Sequence, residues 1–490
     1  MKKFQAGLAL VFAGGLAACV SPDASGGFEF EDGVDDTVSA DEGKADSSSS
    51  STCKAVTAPV RALGGTIITP NGPMNGYVVI QNDKIVSVVQ ARAQVPAGAT
   101  IVDTGGVISP GLIDLHNHVA YDFLPLWNSG KRWQNRYQWA RAAAYQPAVK
   151  TPYNAVKNAS NMCEAVKYGE FRALVGGTTT VQGSADLACT RAWVRNVEFS
   201  NFCQDKVRTD VLAISSISQT DAATLNAQFA SGATKSFIVH LAEGIDDSSR
   251  AEFEQLRALG LLKPQVVGIH STALTPAQLE EMGQIGMKIV WSPLSNLILY
   301  GKTTDIPTAL KAGIKVSIGP DWSPSGSANL LGELKVADRV NKTLFGGVIT
   351  DQQLWQMATE NPAAAAGLDD KIGKIAPGYY ADLLVVRGDV AHPYRAIINA
   401  QPSDVLLTAI SGQALFGQTS FLDAMGQAGQ YTTVDACGTP RGLRVTAAIT
   451  GGTEQLADLT GTFAKDGVTN VIPLFQCGAA PEWAFANISR

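Results

Sequence analysis

From about residue 110 to residue 370, short apolar runs alternate with helix-like stretches. The runs fall near Ile113, Thr178–Val181, Val211–Ile214, Phe237–His240, Val266–His270, Ile289–Trp291 and Val316–Ile318, and Ser249–Leu259 and Pro276–Gln284 are helical stretches between them. A strand–helix unit recurring roughly every 20–30 residues buries its strands in a parallel sheet covered by helices. A region of roughly 260 residues is the usual length of an eight-stranded α/β barrel. Seven strands are assigned, and the eighth is left open within 185–235. Residues 119–159 form a long loop after the first strand, rich in Trp, Tyr and Arg, a composition that suits a pocket wall or lid.

The flanks read differently. Thr66–Thr69, Gly76–Gln81 and Lys84–Val89 are β-rich, with Asn82-Asp83 as a turn, and the strand pattern returns over Ile375–Val386. One sheet assembled from both flanks of a central domain is the economical expectation. Val405–Ile410 and Leu443–Thr450 extend it; residues 400–490 carry no motif.

Four of the five histidines stand at the end of an expected strand, which is the face where α/β barrels build their sites. His116 and His118 lie two apart, so period-two alternation sends both side chains to one side. His240 ends Ser236–His240, His270 ends Val266–His270, and Asp321 follows Val316–Pro320. Imidazole and carboxylate are ligands for a divalent cation, and a catalytic site keeps one position open for water. His116, His118, His240 and Asp321 can supply a mononuclear site. Such a cation brings the pKa of bound water down to about 7, so hydroxide exists at neutral pH. His392 lies beyond this region and reads as structural.

Pro-Gly-Leu-Ile-Asp-Leu-His-Asn-His at 110–118, His-Leu-Ala-Glu at 240–243, Ser-Pro-Leu-Ser-Asn at 292–296 and Gly-Pro-Asp at 319–321 resemble the amidohydrolase superfamily. They look most like its cytosine deaminase, guanine deaminase and chlorotriazine hydrolase branch. The resemblance covers about 60–390. It implies an α/β fold, a distorted TIM (β/α)8 barrel over 110–374 with a small β-sandwich from 53–109 and 375–490. It also implies one divalent metal, Zn2+ ahead of Fe2+, on His116, His118, His240 and Asp321. By the same resemblance Asp321 is also general base, His270 contacts the hydrolytic water or the substrate, and Glu243 protonates a ring nitrogen. A positioned acid suits that chemistry, because attack on an aromatic C–N carbon places negative charge on the ring nitrogen. Binuclear relatives generally use a carboxylated lysine; Lys206 and Lys235 do not fall where one is expected, which favours one metal. Two departures weaken inference to a named substrate: Gly-Pro-Asp replaces the common Gly-Thr-Asp, and Trp291-Ser292-Pro293 replaces His-Cys-Pro.

Tyr121, Trp127, Trp133, Trp291, Asn296 and Trp322 are the expected pocket residues, since aromatic walls suit a flat heterocycle. The expected reaction is hydrolysis of a cyclic C–N bond, deamination first. Two other readings stay open. One is hydrolysis of a cyclic or peptide-like amide, to which Arg132, Arg136 or Arg141 placed for a substrate carboxylate would point. The other is a non-catalytic ligand-binding lipoprotein.

The N-terminus is expected to direct export. Lys2 and Lys3 precede the apolar run Ala6–Ala18, too short to span a bilayer. Leu16-Ala17-Ala18-Cys19 resembles a bacterial lipobox, with residues 1–18 removed and Cys19 lipidated; Val20 points to the outer membrane. Residues 19–52 then form an acidic, serine-rich tether. Nine acidic residues and one lysine lie between 20 and 52, and they account for the negative charge. The remaining body is neutral, which gives nucleic acid no electrostatic footprint. Cys53, Cys163, Cys189, Cys203, Cys437 and Cys477 remain for disulfides in an oxidising compartment, with Cys189–Cys203 and Cys437–Cys477 as local pairings. Homo-oligomerisation is left open.

Overall fold

The structure, a computed structural model, describes residues 57–183, 193–198, 202, 206–209, 213–446 and 453–488. The expected export segment, Cys19, the tether, Cys53, Cys189 and Cys203 lie outside these residues.

The chain begins with β1 (Arg61–Thr69), β2 (Gly72–Gln81), β3 (Lys84–Val89) and β4 (Thr100–Pro110). The β2–β3 hairpin turns at Asn82-Asp83, where Asn82 adopts φ +59°, a conformation asparagine tolerates well.

Eight short strands follow: β5 (Leu112–Asp114), β6 (Thr178–Val181), β7 (Arg195–Asn196), β8 (Val207–Arg208), β9 (Ser236–Leu241), β10 (Val266–His270), β11 (Lys288–Trp291) and β12 (Val316–Ile318). They pair in chain order and in parallel, β5–β6–β7 in one sheet and β8 through β12 in another. A parallel bridge between Asn117 and Asp321 joins the chain beyond β5 to the chain beyond β12. The expectation for 185–235 needs correction. Among its described residues that stretch holds two strands, β7 and β8, each too short to show a period. Of the expected strand at Val211–Ile214, residues 211–212 lie outside the described residues, and Ile214 opens a 3-10 turn, Ile214–Ser216.

The last strands are β13 (Leu383–Val386), β14 (Val405–Ile410), β15 (Gln413–Gly417), β16 (Tyr431–Asp435) and β17 (Pro440–Arg444). They join β1–β4 in a nine-stranded sheet of order β16-β17-β15-β14-β13-β4-β1-β2-β3. β17 therefore starts and ends earlier than the Leu443–Thr450 expectation. β4 is central, parallel to β1 and antiparallel to β13, and it leads through Gly111 directly into β5. Leu63, Ile67, Val78, Ile108, Leu383, Val385 and Leu407 form the core of this sheet. A buried bidentate ion pair, Arg195 to Asp382 at 2.7 and 3.3 Å, ties β7 to the strand-β13 segment.

Helices between the parallel strands start at caps written in the sequence. Thr275 accepts from the Gln278 backbone and Gln278 reciprocates, opening the helix Pro276–Ile285, which Gly286 ends at φ +87°. Ser218 and Asp221 do the same for Gln219–Ser231. The long loop after β5 carries short helices at Arg136–Trp139 and Thr151–Asn158 and buries Trp139, Tyr145 and Tyr153. Residues 453–488 add a helix, Leu456–Lys465, rather than a strand. Cys437 is bonded to Cys477, as the local pairing expects. Cys163 is also disulfide-bonded. Among the described residues no helix is long and apolar enough to cross a membrane.

Candidate active site

Each proposed ligand is delivered by the end of a parallel strand. His116 and His118 follow β5, with ring centres 5.1 Å apart; His240 lies 4.8 Å and His270 5.0 Å from His116 by the same measure. Asp321 follows β12, and its Oδ1 stands 3.0 Å from His116 Nε2 and 3.4 Å from His118 Nε2. All five, with Glu243, are 7% exposed or less. Three groups of converging donor atoms result: His116, His118 and His240; His116, His270 and Asp321; and His240, Glu243 and His270.

The closing of the site depends on backbone approach. Gly319 N donates to Trp291 O on one side, and Asp321 N donates to His116 O on the other. Pro320 between them has no N–H to offer, and none is required there. A Cβ on Gly319 would lie 2.8 Å from His116 Cβ and 2.9 Å from its carbonyl oxygen, so glycine permits this approach. His270 (φ +62°), Asp321 (φ +74°) and Ala242 (φ +53°) all adopt left-handed backbone, at a cost on the order of 1–2 kcal/mol each. Strain held at three strand ends of one site is a mark of function.

His116 and His240 are in the form that binds cations. Burial lowers His116 to about 4, against the opposing pull of Asp321. Burial, with His116 close by, also lowers His240 well below its ordinary value. Both rings are therefore neutral near pH 7. His116 Nδ1 and Nε2 and His270 Nε2 are buried without a hydrogen-bond partner; the 3.0 Å approach of Asp321 to His116 lacks hydrogen-bond alignment. Orphaned buried nitrogens are rare, and donor atoms within 4.8 Å of one another in each group fit a divalent cation. Burial pushes the Asp321 carboxyl up, but the neighbouring imidazoles, His116 first and then His270 and His118, together outweigh it and hold Asp321 below the usual range, so it is ionised.

A second layer holds these groups. Asp114 accepts from the His116 backbone and from Asn117 Nδ2. Ser295 Oγ donates to Asp321 Oδ2 at 2.6 Å. Thr304 Oγ1 donates to His270 O and accepts from Asn296 Nδ2, which leaves Asn296 Oδ1 to accept from His270 Nδ1 at 3.0 Å. Glu243 Oε2 stands 3.7 Å from His270 Nε2 and 3.8 Å from Arg136 Nη1, and Oε1 accepts from the Tyr300 hydroxyl at 2.6 Å.

The expected pocket residues divide. Trp322 lies 6.0 Å from the His118 ring and 5.4 Å from Tyr121, which stacks on Tyr153 at 4.0 Å. Trp127 meets Tyr145, which also meets Trp139 and Trp322. Asn296 orients His270 from the side of the cluster. Trp291 donates to Thr303 and packs on Phe345, and Trp133 carries the Lys131 ammonium over its ring. Sequence reasoning missed Trp139, Tyr145, Tyr153 and Tyr300; the aromatic richness of 119–159 was the only signal for the first three.

A buried imidazole–carboxylate donor set at the ends of parallel strands defines a metal-dependent hydrolase. The chain belongs to the amidohydrolase family, whose model matches residues 107–415, and is a hydrolase of carbon–nitrogen bonds. It is 26% identical over 427 residues to a 5-methylthioadenosine/S-adenosylhomocysteine deaminase of Moorella thermoacetica, covering 73% of this chain and 95% of that protein. Two solved structures share the fold. An adenosine deaminase from Xanthomonas campestris with bound zinc superposes with TM-score 0.62 at 16% identity, over 84% of this chain and 98% of the other. A guanine deaminase from C. acetobutylicum with bound guanine does so with TM-score 0.56 at 16% identity, over 72% and 99%.

Proposed function

We propose that the chain is an aminohydrolase that releases ammonia from an amino-substituted nitrogen heterocycle, with 6-aminopurine nucleosides as the first class to test. In this reading residues 110–374 form a distorted (β/α)8 barrel and the two flanks a composite β-sandwich. His116, His118, His240 and Asp321 hold one divalent cation, zinc ahead of iron(II). The names of the relatives support the substrate class. The observation that carries the reaction is Glu243, a buried carboxyl 3.7 Å from His270 beside the metal-type donors.

A bound cation there supplies Lewis-acid activation of water at neutral pH. Asp321, steadied by Ser295, takes a proton from the water as its oxygen adds to the ring carbon. Glu243 delivers a proton to the adjacent ring nitrogen, so negative charge does not build on the ring. The exocyclic nitrogen then takes the proton from Asp321 and leaves as ammonia, and the ring nitrogen returns its proton to Glu243. His270, with Nδ1 committed to Asn296, turns Nε2 toward the water.

The amide reading gains no support from Arg132 or Arg136. Arg136 already faces Glu243 and Glu252, and Arg132 donates to the carbonyls of Ile298, Trp483 and Ala484. The test is metal content per chain together with ammonia release from adenosine, 5′-methylthioadenosine and guanine, for wild type and Glu243→Gln. Release lost in the variant with metal retained is the expected result. Metal without release from any of them would turn attention to cyclic amides. Residues 1–18 are proposed as export signal and Cys19 as the lipid anchor to the outer membrane; Cys19→Ser should move the protein from the membrane fraction to the soluble one, and retention would refute the anchor.

A further inference from the structure

One helix, Pro293–Tyr300 after β11, touches three of the groups placed in the reaction. Ser295 reaches Asp321, Asn296 reaches His270, and Tyr300 reaches Glu243. Asn296 and Tyr300 are four apart, so they share a face. The first two contacts come from the Ser-Pro-Leu-Ser-Asn stretch; Tyr300 lies beyond it and had no assigned role.

The Tyr300 hydroxyl has one orientation open to it. Its oxygen accepts from Trp139 Nε1 at 2.9 Å and stands 2.6 Å from Glu243 Oε1, and the side chain is 2% exposed. Burial, reinforced by the Glu243 carboxylate, holds the phenol well above its ordinary value. The group keeps its proton, and with Trp139 occupying the acceptor side that proton points at Oε1. A proton on Oε1 would turn that oxygen into a hydroxyl, a much weaker acceptor for the Tyr300 O–H 2.6 Å away. The proton that Glu243 transfers is therefore carried on Oε2, the oxygen 3.7 Å from His270 Nε2.

We infer that Tyr300 is the positioning residue of Glu243, committing Oε1 to a fixed hydrogen bond so that Oε2 alone serves the reacting ring. Trp139, on the long aromatic loop after β5, sets Tyr300 in turn and links that loop to the acid. This rests on the reading of Glu243 as the proton donor.

The test uses the full-length protein in five forms: wild type, Tyr300→Phe, Glu243→Gln, the double variant of these two, and Trp139→Phe/Tyr300→Phe. The last removes both buried polar atoms together, so a loss it shares with Tyr300→Phe does not stem from an orphaned indole N–H. The substrate is the fastest compound of the adenosine, 5′-methylthioadenosine and guanine panel. In Tyr300→Phe kcat should fall about tenfold with KM held within about twofold, the scale of one hydrogen bond made to a charged group. Metal content should be unchanged. The Glu243→Gln/Tyr300→Phe double variant should be no slower than Glu243→Gln alone. A wild-type kcat in Tyr300→Phe, or losses that multiply in that double variant, would overturn the inference. A Glu243→Gln enzyme as fast as wild type would instead overturn the assignment of Glu243. Crystal structures of wild type and Tyr300→Phe form an arm free of activity: the Glu243 carboxylate should rotate and lose its approach to His270, and an unmoved carboxylate would refute the positioning role.

Discussion

Asp321 and His116 are joined twice, by a backbone hydrogen bond of 2.9 Å from Asp321 N to His116 O and by side chains 3.0 Å apart. The chain beyond the last parallel strand is thus paired with the chain beyond the first at two of the proposed ligands. This pairing and the ligand geometry involve the same residues, so a change in one should disturb the other.

Gly319→Ala tests that coupling. Its Cβ would press on His116 Cβ and carbonyl, which should destabilise the fold by about 1–3 kcal/mol and lower metal occupancy as well. Gly461→Ala, in the helix Leu456–Lys465 with open space around it, should be stabilising by about 0.5–1 kcal/mol and leave occupancy alone. Urea unfolding and metal analysis of both variants decide it.

Asp321→Ala should lose most of its metal. Wild type is expected to bind one zinc or iron per chain, and the variant far less after the same dialysis. Two metals per wild-type chain would contradict the mononuclear site.

The Cys437–Cys477 bond closes 40 residues of chain. The tail it anchors is pinned to the long loop and its surroundings: Ile472 N donates to Phe123 O, Arg132 to Trp483 O, and Arg339 pairs with Glu482. Cys477→Ser should cost about 2–4 kcal/mol and expose residues 453–488 to proteolysis first. An unchanged melting temperature would refute a structural role for the bond.

Glu333 lies behind the site, fully buried, accepting from Leu294 N and Ser327 N. Burial pushes its carboxyl up from 4.5 to about 7. Between those values the folded chain keeps a proton that the unfolded chain releases. Its contribution therefore declines as pH rises through 4.5 to 7, by up to about 1.4 kcal/mol per pH unit, and is level above. Denaturant melts at pH 5 and pH 8 should show a smaller loss on going to pH 8 for Glu333→Gln than for wild type. Equal losses would show that Glu333 does not titrate in that window.

Much of the site was legible before the structure. His116, His118, His240, His270 and Asp321 each end an apolar run, and an apolar run that stops at a polar residue marks a strand end facing solvent or a site. β7 and β8 were not legible, because two residues cannot display a period of two. Trp291, expected as a pocket residue, donates its indole N–H to Thr303 and packs on Phe345.

The strand–helix period, the candidate donor residues and the family they resemble were legible in the sequence alone, since each is a local pattern of apolar spacing and residue type. Which oxygen of Glu243 meets Tyr300, which oxygen faces His270 and Arg136, and how closely His116 meets Gly319 were decided only by tertiary structure. Trp139 and Tyr300 are 161 residues apart in the chain and 2.9 Å apart in space. Hydrogen bonds of that kind depend on distances and directions that packing sets, and no spacing along the chain encodes them.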